Sequence, residues 1–224
     1  MIPLRDSTPS NSFPLVTVAL IILNLLIFLY ESTLWPDQLN ALIYTFGLVP
    51  ANFSDYHGPW SGYLPFFSSM FMHGSWMHVI GNMWVLWLFG DNVEDKMGRG
   101  RFLLFYLLCG FIAALAHFAY NPASPVPVVG ASGAVAGIMG AYFLMFRRAK
   151  VFTYIPPIFL INIPAWIYLG FWALSQLYYG SFETANQGQI AFWAHVGGFA
   201  AGMILYRFFL KTQYESNGGY GGYS

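Results

Sequence analysis

The chain has 224 residues, of which 57% are hydrophobic, 20% aromatic and only 8% charged. A soluble domain carries roughly 25% charged residues because its surface must be solvated, so this composition excludes a soluble globule, and a mean hydropathy of +0.54 points to a polytopic membrane protein. Nine basic and nine acidic residues balance to a net charge of zero, which argues against a nucleic-acid partner, since that calls for a basic stripe.

In chain order, six apolar stretches run approximately over residues 13–30, 76–89, 102–119, 131–146, 155–178 and 190–210. Spanning a bilayer takes ~20 helical residues, with a range of roughly 17 to 25. The first, third, fifth and sixth stretches meet that, while the second and fourth are short. Inside lipid every backbone amide must be satisfied within its own segment, so an all-α membrane protein is expected, with six transmembrane helices in residues 13–210. The first stretch lacks a small-residue cleavage site and is long enough to span, which makes it a retained helix rather than a signal peptide. Between the stretches lie an arm at 1–12, a long external loop at 31–75 and a tail at 211–224. The loop carries Trp60, Tyr63, Phe66 and Phe67, residues that favour the membrane interface, so it is expected to lie against the outer leaflet. Residues 121–129 contain Pro122, Pro125 and Pro127 and cannot be helical. The tail ends in a Gly/Tyr-rich run over 217–224, expected to be disordered. No internal repeat is visible. The single cysteine, Cys109, sits in an apolar run, which excludes a disulfide framework and a Cys-based zinc site and reads as a small core residue.

Six helices alternate the loops between two sides. One side receives Arg5, Lys96, Arg99, Arg101, Arg147, Arg148, Lys150, Arg207 and Lys211, which is every Lys and Arg in the chain. The other receives only acids: Glu31, Asp37, Asp55 and Glu183. Positive residues favour the cytoplasmic side, so both termini are expected in the cytoplasm.

No Asp or Glu lies within the six stretches. An aspartyl intramembrane protease needs two embedded acids, a zinc metalloprotease needs His-Glu-x-x-His, and proton-driven transport needs an embedded carboxylate; all three lack their residues here. The polar side chains that remain inside include Ser132, His78, Asn82, His117 and His195, with lesser candidates such as Asn24, Ser175 and Gln176. Helical rise gives their depth. Ser132 lies 15 residues before Arg147, or ~22 Å up its helix. His195 lies 12 residues before Arg207, or ~18 Å, and His78 lies 13 before Asp91, or ~20 Å. Asn82 is one turn from His78 on the same face. Three helices thus bring polar groups to a similar level.

A serine is a poor nucleophile until a neighbouring base takes its proton, and a neutral imidazole is the form a general base requires. With no embedded acid, Ser132 and His195 would form a dyad. Gly130-Ala131-Ser132-Gly133 follows the proline-rich loop and opens an apolar helix, where free N–H groups and the helix dipole favour an oxyanion. His78 and Asn82 are neutral donors able to complete that hole. Gly133 with Gly137, and Gly198 with Gly202, give two helices small faces for close approach. The fourth stretch is short for a bilayer, so its serine end would sit below the outer surface with room for water above. Spacing alone leaves other roles open: the serine as a helix cap, the glycines as packing and the histidines as structural hydrogen-bonders. His117 lies at a similar depth and could equally serve as a ligand or base.

Gly130-Ala131-Ser132-Gly133, then Ala194-His195-Val196-Gly197-Gly198 and Gly202, resemble the motifs of the rhomboid family of intramembrane serine proteases, and His78-Val79-Ile80-Gly81-Asn82 resembles that family's His-x-x-x-Asn. The resemblance covers roughly residues 13–210, in the six-helix form. It implies Ser132 as nucleophile, His195 as general base, and His78, Asn82 and the Ser132 amide as oxyanion donors. It implies a membrane-hugging first loop, a gate and cap made of the fifth helix and residues 179–189, and no cofactor or metal. Substrates would be transmembrane segments of other proteins, cut near the extracytoplasmic face of a bacterial cytoplasmic membrane, preferably after a small residue. Two features depart from the pattern. Ala136 occupies a position where several members stack an aromatic ring on the histidine, so another group must position His195; and the first loop has no arginine. The alternatives are a non-catalytic binder or chaperone of transmembrane helices and a metal carrier using His78, His117 and His195. His57, His73 and His117 are assigned loop or structural duties.

Overall fold

The protein is described from a computed structural model over residues 1–54, 58–182 and 191–211. The elements in chain order are β1 (Ile2–Asp6), α1 (Leu15–Thr33), α2 (Pro36–Phe46), α3 (Pro65–Ser68), α4 (Trp76–Met97), α5 (Arg99–Tyr120), α6 (Ser132–Met145), β2 (Lys150–Ile155), β3 (Phe159–Pro164), α7 (Ala165–Ser181) and α8 (Phe192–Phe209). The chain is mostly helical, and its long helices fall on the apolar stretches. By length and hydropathy alone, α1 and α5 suffice to cross a membrane, and α6 is apolar but shorter.

The centre of the bundle is α6, whose residues from Gly133 to Tyr142 are all buried. It packs on α8 backbone to backbone. A Cβ added to Gly198 would lie 2.0 Å from the Gly133 carbonyl oxygen, and one added to Gly202 would lie 1.9 Å from that of Gly137. No side chain fits such a seam, so the two glycine faces are a steric requirement of this contact.

One end of the bundle collects the charged turns. The Glu94 carboxyl, buried at the end of α4, accepts from the backbone N–H groups of Val16 and Thr17 at 3.0 and 2.8 Å and from the Thr17 hydroxyl at 2.8 Å. These are first-turn donors of α1 that have no partner within the helix. Asp95 accepts from Asn11 and Ser12, Lys211 donates to the Asp95 carbonyl, and Arg101 donates to the Leu210 carbonyl. The segments before α1, around the α4–α5 turn and after α8 are therefore tied together.

Two expectations need correcting. The fifth apolar stretch is not helical from residue 155: α7 begins only at Ala165, and residues 150–164 form the β2–β3 hairpin. Pro156 and Pro157 sit at its turn, where proline removes the amide donor and biases the residue before it away from helical angles. A wholly helical chain is corrected with it. The arm at 1–12 supplies β1, which pairs antiparallel with β2 to give a sheet in the order β1-β2-β3. In the long loop, Phe66 is buried against Phe53, Phe111 and Phe118, and Phe67 stacks on Phe111 at 4.8 Å. These two aromatics thus meet α5. The side chain of Trp60, His57, most of the cap segment after α7 and the Gly/Tyr-rich tail lie outside the described residues.

Candidate active site

Ser132 is the first residue of α6, and the helix has no side-chain cap at Ala131. Its hydroxyl is turned elsewhere: Ser132 Oγ lies 2.8 Å from His195 Nε2, across the seam from α8. The other ring nitrogen, His195 Nδ1, lies 2.7 Å from Gln176 Oε1 on α7. An amide oxygen can only accept, so Nδ1 carries the proton and Nε2 is left as acceptor for the serine O–H. The amide orientation follows from its other end, where Gln176 Nε2 donates to Ser175 Oγ at 3.1 Å. Both His195 nitrogens are thus engaged in hydrogen bonds.

The His195 ring is also flanked by Trp172, with centroids 5.8 Å apart. Trp172 and Gln176 are four residues apart and share one face of α7. Together they take up the positioning that Ala136 cannot supply. Gln176 was visible in the sequence as a polar residue inside an apolar run; its partner was not.

On the other side of the serine, Ser75 caps α4 by accepting from the His78 N–H at 3.2 Å. Gly130 has φ of +133°, and a Cβ there would lie 2.6 Å from His78 Cε1 and Nε2. The same Cβ would lie 3.7 Å from Asn82 Nδ2. His78 and Asn82 therefore converge on the residue two before Ser132, at the end of α6 where the first N–H groups have no intrahelical acceptor. One amide hydrogen of Asn82 goes to His73 Nε2 at 3.1 Å; the amide has a second to offer.

His73 has more than a loop duty. It is buried, its ring meets that of His78 edge-on at 5.1 Å, and its Nε2 also accepts a long 3.5 Å contact from the Ala131 N–H. Its own backbone N–H donates to buried Glu31 at 3.1 Å. The sequence held no signal for this, since His73 lies outside every apolar stretch. His117 is also buried, with Nδ1 unpartnered among the described residues. It shares with Ser132, Gly133 and Ala194 the lining of a cavity of about 30 Å³, room for one or two waters beside the hydroxyl.

The arrangement can move a proton from the hydroxyl to a correctly oriented imidazole, and it offers neutral donors near the attacking oxygen. A family model described as the Rhomboid domain matches residues 60–212. Rhomboid protein 1, mitochondrial, of Saccharomyces cerevisiae is 28% identical over 158 residues, covering 66% of this chain and 42% of that protein. RHOMBOID-like protein 1 of Arabidopsis thaliana is 30% identical over 149 residues, covering 66% of this chain and 35% of that protein. Rhomboid protease GluP of Bacillus subtilis is 38% identical over 98 residues, covering 41% of this chain and 19% of that protein. The chain thus spans less than half the length of each of these relatives.

Proposed function

Because the chain belongs to the rhomboid family of integral membrane proteins, we propose that it is an intramembrane serine endopeptidase that cuts transmembrane segments of other membrane proteins. The observation that carries this is the 2.8 Å contact of Ser132 Oγ with His195 Nε2, made by a ring whose Nδ1 proton is held by Gln176. Relatives named as proteases, GluP among them, support it.

In the proposed reaction Ser132 Oγ attacks the scissile carbonyl while its proton passes to His195 Nε2. The oxyanion that forms is held by Asn82, His78 and the N–H groups at the start of α6, in a setting where each donor is worth ~3–4 kcal/mol. His195 then gives its proton to the leaving amine. Water in the cavity beside Ser132, deprotonated by the same nitrogen, attacks the acyl-enzyme and frees the serine. Gln176 is a positioning residue: it keeps the imidazole in the tautomer that can accept. A neutral amide cannot stabilise an imidazolium as a carboxylate does.

The proposed topology has six spans in residues 13–210, with the short α6 sunk in the bundle, and both termini on the base-bearing side facing the cytoplasm. The dyad then opens to the opposite side of a bacterial cytoplasmic membrane, and α7 is the gate through which a substrate helix reaches it. The test is labelling of the purified chain with a fluorophosphonate, which reacts only with an activated serine. Labelling is expected in the wild type and absent in Ser132→Ala and in His195→Ala. Undiminished labelling of either folded variant rejects the assignment, and no labelling of the wild type favours the non-catalytic helix binder.

A further inference from the structure

The three-stranded sheet has no part in this chemistry, yet its outward face carries a cleft. The register sets Arg5 of β1 opposite Phe152 of β2, and Phe152 opposite Asn162 of β3. Lys150 is two residues along β2 and so on the same face. These four, with Asp6 and Ser7, line a cleft of about 270 Å³. The Arg5 guanidinium lies over the Phe152 ring at 5.2 Å, a placement that holds the cation while leaving its N–H fork free to reach an anion. Among the described residues neither Arg5 nor Lys150 is paired with a carboxylate.

Asp6, the acid in the lining, is committed elsewhere. Its Oδ2 accepts from the Tyr142 hydroxyl at 2.5 Å, from Asn92 at 3.1 Å and from the Thr8 N–H at 3.3 Å. Burial, outweighing these hydrogen bonds, pushes its carboxyl above the usual carboxylate range. The cleft is therefore net cationic.

Next to it lies an apolar rim. Ile158, Phe159, Leu160 and Ile161 are all exposed, the first by 77%, on or beside β3, the outer strand of the sheet. Leu160 shares its face with Asn162, two residues away. No charged residue occurs from 151 to 182. In water an uncharged, apolar edge strand is a template for aggregation. In the headgroup and upper acyl region of a bilayer it is solvated, and exposed Trp166 at the start of α7 is a residue type that favours this level.

A cationic cleft within two residues of an apolar rim matches one chemistry. We infer that this sheet holds an anionic phospholipid, with its phosphate between Arg5 and Lys150, Asn162 donating to the headgroup, and its acyl chains along Leu160 and the hairpin tip. Arginine pairs bidentately with phosphate oxygens, and bases at a membrane surface draw anionic lipid. The lipid would also brace β1 against the hairpin that leads into α7. The inference rests on the membrane placement proposed above but not on the protease chemistry.

The test uses the full chain, delipidated in detergent and titrated separately with phosphatidylglycerol, phosphatidylcholine and inorganic phosphate, with bound molecules counted by native mass spectrometry. Phosphatidylglycerol is expected to bind ~10-fold or more tightly than phosphatidylcholine, as two surface bases provide. Arg5→Gln with Lys150→Gln is expected to erase that preference, and Leu160→Asn to weaken both lipids. Lys150→Gln alone, which removes only an exposed side chain, gives a partial loss and serves if the double variant does not fold. A preference for phosphatidylglycerol that persists in the folded double variant or is untouched in Lys150→Gln overturns the inference. So does inorganic phosphate that competes as well as the lipid, which would make this a simple anion site.

Discussion

The two ends of this bundle handle polarity in opposite ways. At the base-bearing end, charged side chains close off backbone: Glu94 takes the free N–H groups of α1, Lys211 and Arg101 take carbonyls, and Asp6 and Asp95 tie the N-terminal arm to α4 and α6. At the other end the groups around Ser132 are neutral: His195, Gln176, His78, Asn82 and His73. Buried Glu31 brings a carboxyl near, and it is held by the His73 backbone N–H. A charge that caps a helix stabilises the fold whether or not anything reacts. A charge beside the dyad would have to be desolvated in the membrane, so the site relies on oriented neutral donors and acceptors. One end ties the segments together and the other gathers the groups of the candidate site.

Substitutions at each end can break or sharpen that contrast. The largest effect is expected from Glu94→Ala, which strands two α1 amides and a hydroxyl and should lower stability by ~3–5 kcal/mol. A thermal melt in detergent reads this, and the fluorophosphonate labelling rate per folded molecule should stay unchanged. At the opposite end Asn82→Ala should lower kcat by ~10²- to 10³-fold with KM little moved, because the oxyanion exists only after attack. A loss in KM alone would make Asn82 structural. Gln176→Leu should lower kcat by ~10- to 100-fold, less than the ~10⁴-fold seen where a buried acid orients a histidine, since only tautomer and ring angle are lost. Gln176→Glu, which keeps an acceptor for Nδ1–H, should restore most of the rate. If it does not, or if the Gln176→Leu variant is fully active, Gln176 is a packing residue.

The smallest effect concerns pH. Burial, with Asp6 adding to it, pushes the Asp91 carboxyl from an ordinary value of 3.8 up to about 6. A folded carboxyl that holds its proton more tightly than the unfolded one contributes stability below 3.8 that is lost as the pH rises through about 6. Tm should therefore decline across that window, and Asp91→Asn should flatten the decline without changing the labelling rate at neutral pH. An identical slope in the variant would place the titration elsewhere.

Much of this molecule can be read without coordinates. The apolar stretches locate the long helices because the unsatisfied backbone of a lipid-exposed segment leaves little alternative to a helix, and the glycine faces of α6 and α8 announce a close contact because nothing larger fits there. Ser132 and His195 stand out because a polar side chain in an apolar run needs a reason. The β2–β3 hairpin was hidden because Ile155 through Pro164 is as apolar as a span. Hydropathy does not distinguish a strand in the interface from a helix in the core, and only Pro156 and Pro157 mark the difference. The role of His73 was hidden because it sits in a loop whose course over the start of α4 is not periodic.

The order of residues along the chain was enough for the local features: where the long helices lie, where the bases cluster and which polar side chains sit within apolar runs. These depend on hydropathy, backbone accounting and side-chain type, all short-range properties. The contacts that make a site out of those side chains join different elements of the fold: Ser132 on α6 to His195 on α8, Gln176 on α7 to His195, and His73 before α4 to the Ala131 N–H before α6. Such pairings depend on how the helices pack and turn about one another, and a residue's neighbours along its own helix do not encode the angle at which another helix meets it.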